Sequence, residues 1–230
     1  DVVGNEKPSG EEENKEEQIK RGSNTANAKR PTTTTSSAIQ DALGQWAPLL
    51  SIPSVKRTVI LNGCYWVALS GAQMTLLPLM LTNPAGLALS ASSLGKIYMG
   101  MSVVQVFGNP SVARVVDRIG KVPSIIGGCT AISTAMFAVP FCTDTYQLAI
   151  ALGFWSLGST ALSTAPMAHM ADLVPTEKRA QALALLRTAG DIGFLFGATG
   201  TGALANWTGS MDLAMQGCSA FLLTATCWYT

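Results

Sequence analysis

Two sets of charged residues in this chain have the types and spacing to do chemistry. Asp117, Arg118 and Lys121 surround Gly120 in the stretch Ala113–Lys121. An aspartate at a helix end, followed by an arginine and a turn-forming glycine, can set one carboxylate and two cations on a membrane surface, with the glycine permitting a tight reversal. Arg187 and Asp191 are four residues apart inside an apolar stretch, so they share one helix face. Counting 1.5 Å per residue from Ala180, Asp191 lies about 16 Å in, close to the midplane of a bilayer. A charge there costs at least ~2.5–3.5 kcal/mol and normally faces a cavity or a partner. Two roles stay open for it: substrate binding or proton coupling in a central cavity, or a purely structural pair with Arg187.

Other chemistry is poorly represented. No Ser-His-Asp or Cys-His arrangement, paired-carboxylate site or phosphate loop is evident, so an enzyme is not expected. The run Gly197–Gly202 is glycine-rich but lacks the lysine of a phosphate-binding loop and falls inside an apolar stretch. Five cysteines are scattered without metal-ligand spacing and His169 is the single histidine, so neither a metal site nor any other cofactor is expected. His169 reads as a packed or capping side chain as readily as a proton relay. Gln73 and Gln105 could line a cavity or hold helices together. Lys96 can snorkel to a membrane interface.

The elements that must position these residues follow from where the charges lie. The chain has 230 residues, 48% of them hydrophobic, and a net charge of +1, which argues against nucleic acid as a partner. Residues 1–57 hold eight Lys/Arg and eight Asp/Glu; the other 173 residues carry seven and six. A soluble domain is about 25% charged, so this second portion is too poor in charge for water. Residues 1–37 are Glu/Lys/Ser/Thr-rich and are expected to be disordered. Ile39, Ala42, Leu43 and Trp46 would share a helix face, giving either an interfacial helix over 38–47, ended by Pro48, or a plain linker.

Six apolar segments follow, near 58–82, 92–113, 122–142, 146–170, 180–205 and 211–229. Each is of the length, about 20 residues, that crosses the hydrocarbon core as a helix. Lys56 and Arg57 precede the first; Arg114, Arg118 and Lys121 lie between the second and third; Lys178 and Arg179 between the fourth and fifth. The other connections have no Lys or Arg. Basic residues in every second loop put both ends of the chain in the cytoplasm. The orientation does not say which membrane. Asp172 and Glu177 should pair locally with Lys178 and Arg179. The sequon Asn206-Trp-Thr208 lies too near the membrane for glycosylation to be expected. The first apolar stretch starts near residue 58, so no signal peptide is expected, and a chain that begins with Asp and ends in an apolar run reads as a fragment or a processed product.

Two motifs carry a resemblance. The Asp117-Arg118-x-Gly120-Lys121 pattern between two apolar segments is similar to the loop signature of the major facilitator superfamily of secondary transporters, with Ala113 where that family usually has Gly and Val122 where a second basic residue is common. The second is Arg187-Thr-x-Gly-Asp191-x-Gly193, continued by Gly197, Gly200 and Gly202. Glycines at three- and four-residue spacing give a smooth face for close helix packing, and the arrangement resembles the eleventh helix of a twelve-helix member.

The resemblance implies an all-α membrane protein: a six-helix bundle over 58–230, helices seven to twelve of such a transporter, built from two inverted three-helix repeats. Residues 1–57 would then be a cytoplasmic tail or the central loop. It implies secondary active transport of a small solute by alternating access, as antiporter or symporter, with protons as the expected coupling ion. Asp117 would latch onto a helix end of the opposite half, supported by Arg118 and Lys121. The implied partners are the solute, the lipid bilayer and the missing six-helix half, in cis or as a second subunit. Two alternatives remain: a half-size transporter acting as a homodimer, and a non-transporting sensor that keeps the fold.

Overall fold

The computed structural model describes residues 44–84 and 87–230. The chain divides into two units, Asp1–Leu43 and Gly44–Thr230, and all the described structure lies in the second. The tail expected over 1–37 and the 38–43 part of the expected interfacial helix fall outside the described residues. Residues 44–50 are helical straight through Pro48, with the Ser51 hydroxyl donating to the Pro48 carbonyl at 2.7 Å. Pro48 therefore does not end this helix. Leu49 and Val55 are fully buried against Met170, Val174 and Leu185. Residues 44–57, read from sequence as part of a tail, thus belong to the folded unit; their serines and cations hide two core residues from any hydropathy average.

Seven α-helices follow: α1 (Pro53–Leu69), α2 (Leu77–Thr82), α3 (Ala91–Ile119), α4 (Lys121–Ala138), α5 (Thr145–Leu173), α6 (Arg179–Thr208) and α7 (Met211–Tyr229). A π-helical segment, Ser70–Leu76, joins α1 to α2 into one continuous rod. Four rods are long and apolar enough to cross a membrane: Pro53–Thr82, Lys121–Phe141, Thr145–Leu173 and Thr176–Thr208. The rods α3 and α7 fall short on apolarity, α3 through Lys96, Arg114, Asp117 and Arg118 and α7 through Asp212 and Gln216.

The π segment has a local cause. Pro78 lacks an N–H, and its ring would press on the carbonyl of Met74, so the helix widens just before it. In the widened ladder the Leu77 N–H bonds the Ala72 carbonyl, so the Gln73 carbonyl is the one that faces the missing N–H, and Tyr98 of α3 donates to it at 2.6 Å. Such repairs are what let proline persist in a membrane helix.

Packing follows small residues. Gly190, Gly193 and Gly197 of α6 lie against Trp66, Gly63 and Val67 of α1 so closely that a methyl group on any of them would collide with side chain or backbone. Gly128 of α4 and Gly158 of α5 approach each other in the same way. Across these interfaces Asn62 donates to the Leu186 carbonyl at 2.9 Å, Ser70 to that of Phe194 at 2.8 Å and Ser219 to that of Ser133 at 2.8 Å.

The neighbour relations have an internal symmetry. The first rod packs on α6 and α7, α5 packs on α3 and α4, and α4 packs on α7. Exchanging the first rod with α5, α3 with α6 and α4 with α7 maps that set onto itself. Because short turns make successive rods run up and down, the exchanged partners run in opposite directions, the arrangement of an inverted three-helix repeat. Two cores result: a large one centred on Trp155, Ile132, Met136 and Leu222, and a smaller one around Met170, Leu49 and Leu186.

Candidate functional site

The α3–α4 turn is a single residue. Gly120 has φ +103° and ψ 158°, a conformation that only glycine adopts without strain. Its N–H donates to the Val116 carbonyl at 2.9 Å, and its own carbonyl accepts from the Ser124 hydroxyl at 2.7 Å. This reversal sets Lys121, the first residue of α4, against the C-terminal turns of α5. There Lys121 Nζ pairs with the Asp172 carboxylate and donates to the Ala168 carbonyl at 3.2 Å. Arg179 Nε donates to the Ala171 carbonyl at 2.9 Å. Both cations thus sit at the C-terminal, negative end of the α5 dipole, and Arg179 meets one of the last four carbonyls, which lack an intrahelical partner. His169, half-buried, lies beside the pair.

Among the described residues, neither Asp172 nor Glu177 forms an ion pair with Lys178 or Arg179. Asp172 reaches across to Lys121 instead, because the last turn of α5 faces the start of α4 rather than its own loop. Asp117 and Arg118 are exposed, and among the described residues neither forms an ion pair. Asp117 shares the outward face of α3 with Val103, Val106 and Phe107, all exposed.

Arg187 and Asp191 form an ion pair along α6, Nε to Oδ1 3.4 Å, with side chains 81% and 67% exposed. Among the described residues, neither side chain forms an ion pair with another helix. Of the four glycines read as a packing face, Gly193 and Gly197 touch α1, whereas Gly200 and Gly202 meet no other part of the described chain within 4 Å. The contact continues instead through Thr201, against Gly71. Gln73 is buried in the bundle, and Gln105 is half-buried on α3.

Sequence reasoning missed a group of buried polar atoms that have no hydrogen-bond partner among the described residues: Trp155 Nε1 and Ser156 Oγ on α5 and Ser133 Oγ on α4. No motif announces them, since serines in an apolar stretch read as ordinary small packing residues. Among the described residues, no three His, Cys, Asp or Glu side chains lie close enough together to hold a metal ion.

A six-helix bundle of pseudo-repeated halves, with a glycine-turned basic loop and a charge pair on an exposed helix face, is the build of a membrane transport protein. The chain belongs to the major facilitator superfamily, whose sequence profile matches residues 31–230. It is an integral, multi-pass membrane protein of a transporter family rather than an enzyme. Its fold is similar to that of the human organic anion transporter MFSD10 (TETRAN), with a TM-score of 0.70 and 15% sequence identity. That match covers 77% of this chain and 41% of MFSD10, so the chain spans less than half of that transporter. No curated protein sequence matches it significantly.

Proposed function

We propose that this chain is one six-helix half of a secondary transporter that moves a small solute by alternating access, coupled to protons. The Arg187–Asp191 pair carries the reading. It sits on a membrane-length helix with both side chains exposed, and charges at that depth face a water-filled cavity or a partner. The face they occupy is where the second half, in cis or as another subunit, would enclose a cavity. Asp117, exposed and unpaired among the described residues, supports the same view: its partner as a latch would lie on that second half. The basic end of the bundle, with Lys121 and Arg179, faces the cytoplasm in this scheme, as do both ends of the chain.

The test is uptake into proteoliposomes holding the intact protein, across a panel of labelled small solutes, with and without an imposed pH gradient. Wild type accumulates at least one solute in response to the gradient, and Asp191→Asn loses the response to the gradient while still exchanging solute. Undiminished gradient-driven uptake by Asp191→Asn removes Asp191 from coupling. Failure of every solute to move removes transport itself.

A further inference from the structure

A groove of about 800 Å³ lies between α4 and α5 and leads toward the end of the bundle away from Lys121. Phe137, Phe141, Ile150 and Phe154 line it with exposed side chains, and no lining residue is charged. Thr130 and Thr134 also line it, but their hydroxyls donate to carbonyls of their own helix, at 3.0 and 2.8 Å. From Gly127 to Phe141 the groove follows α4 for about 21 Å, enough for the ~15 Å of hydrocarbon in one leaflet. At its far end are Cys142 and Gln147. Gln147 Oε1 accepts from the Thr143 N–H at 3.2 Å, and among the described residues its amide nitrogen donates to nothing.

Cys142 borders a second pocket as well, of about 400 Å³, between the end of the first rod, the end of α4 and the α6–α7 turn. Its lining is mostly polar, includes Asn83, Ser210 and Asp212, and contains no basic residue. Asp212 is exposed and forms no ion pair among the described residues. The Leu213 N–H goes to the Ser210 hydroxyl at 3.3 Å. That leaves the N–H groups of Met211 and Asp212, the first two residues of α7, without an intrahelical acceptor.

We infer that groove and pocket together bind one phospholipid with an ammonium headgroup, in the leaflet opposite Lys121. An acyl chain lies along α4 and α5, and an ester carbonyl accepts from Gln147. The headgroup passes over Cys142, with its phosphate toward the start of α7 and its ammonium against Asp212. The chain is embedded in a bilayer, so lipid is the medium that an uncharged, aromatic-edged groove on two spans meets. Charge selects the headgroup. The only ionic side chain in the pocket is a carboxylate, which attracts an ammonium and repels a headgroup that is anionic throughout. Two N–H groups beside that carboxylate suit a zwitterion, which carries its phosphate next to its cation. The site goes beyond the transport reading: it needs neither a solute nor a coupling ion, and it lies on helices other than the one that carries the Arg187–Asp191 pair.

The test is native mass spectrometry of the intact protein titrated with palmitoyl-oleoyl phosphatidylethanolamine, phosphatidylcholine or phosphatidylglycerol. A saturable first phosphatidylethanolamine is expected, bound about fivefold more tightly than phosphatidylglycerol, the scale of an exposed ion pair. Asp212→Asn should remove that preference. Thr134→Trp puts an indole into the groove and should weaken phosphatidylethanolamine about tenfold through lost apolar contact. Asp212 and Thr134 are both exposed, so these variants should unfold at the wild-type temperature. Phosphatidylcholine bound as tightly as phosphatidylethanolamine fits the same ionic contact, and weaker binding adds an N–H donor to it; both support the site. Equal binding of phosphatidylglycerol, an unchanged preference in Asp212→Asn, or an unchanged affinity in Thr134→Trp overturns the inference. Absence of any saturable lipid leaves the groove to a protein neighbour and overturns it too. A protein that binds the lipid but moves no solute sinks only the transport reading. One that transports but shows no lipid preference sinks only this one.

Discussion

Lys121 reaches across to Asp172, tying the first residue of α4 to the last turn of α5. The same ammonium also caps the Ala168 carbonyl, so the lysine has two functions here and the aspartate one. The carboxylate is more than half exposed, and exposed pairs contribute little once water and salt screen them. Asp172→Asn should therefore leave the thermal unfolding midpoint nearly unchanged, while Lys121→Met lowers it clearly. Equal losses in the two variants, followed with a thiol-reactive dye, would mean that the carboxylate rather than the helix end is the main partner.

Gly120 is the sharpest backbone constraint in the fold. An alanine there would be held at φ +103°, at a cost of about 1–3 kcal/mol. Gly127→Ala is the matched control, since a methyl group there meets open space and Gly to Ala inside a helix stabilises by roughly 0.5–1 kcal/mol. Unfolding of the two variants should shift in opposite directions.

The glycines of α6 should divide into two classes. Gly193→Val and Gly197→Val push a branched side chain into the α1 backbone, and overpacking of this kind costs about 1–3 kcal/mol or more. Gly200→Ala and Gly202→Ala should be neutral or mildly stabilising in the isolated chain. A loss of stability at Gly200 confined to the intact protein would place a contact with the second half at that point.

Exchanging the charges of the α6 pair separates bracing from coupling. The double variant Arg187→Asp with Asp191→Arg keeps an ion pair at the same spacing, so its thermal stability should match wild type to within about 0.5 kcal/mol, the scale of such pairs on a helix surface. Proton coupling should not survive, because the titrating carboxylate has moved by one turn. Intact coupling in the exchanged protein is the result that would restrict the pair to a structural role.

What was legible in the sequence was what depends on neighbours along the chain. The turns at Gly120 and Gly209 both have positive φ and both interrupt apolar runs, so the residue type and the break announce them together. Relations between helices were less visible. Lys121 and Asp172 are 51 residues apart, and Asp172 had nearer cations in sequence. The glycines of α6 divide for a geometric reason. Contact between α6 and the first rod runs through 193, 197 and 201, and at 3.6 residues per turn each step of four drifts about 40° around the helix. Gly200 lies about 60° behind Gly197 and is left outside the contact, whereas Gly190, read only as part of the Arg187–Asp191 motif, lies about 20° ahead of Gly197 and inside it.

The wide turn at Ser70–Leu76 has a mechanical consequence. A rod bends where its hydrogen-bond ladder is loosest, so the compliance of the first rod is concentrated in these two turns instead of being shared over its thirty residues. The Tyr98 hydroxyl grips the Gln73 carbonyl at this waist. Flexing of the first rod is thereby geared to the position of α3.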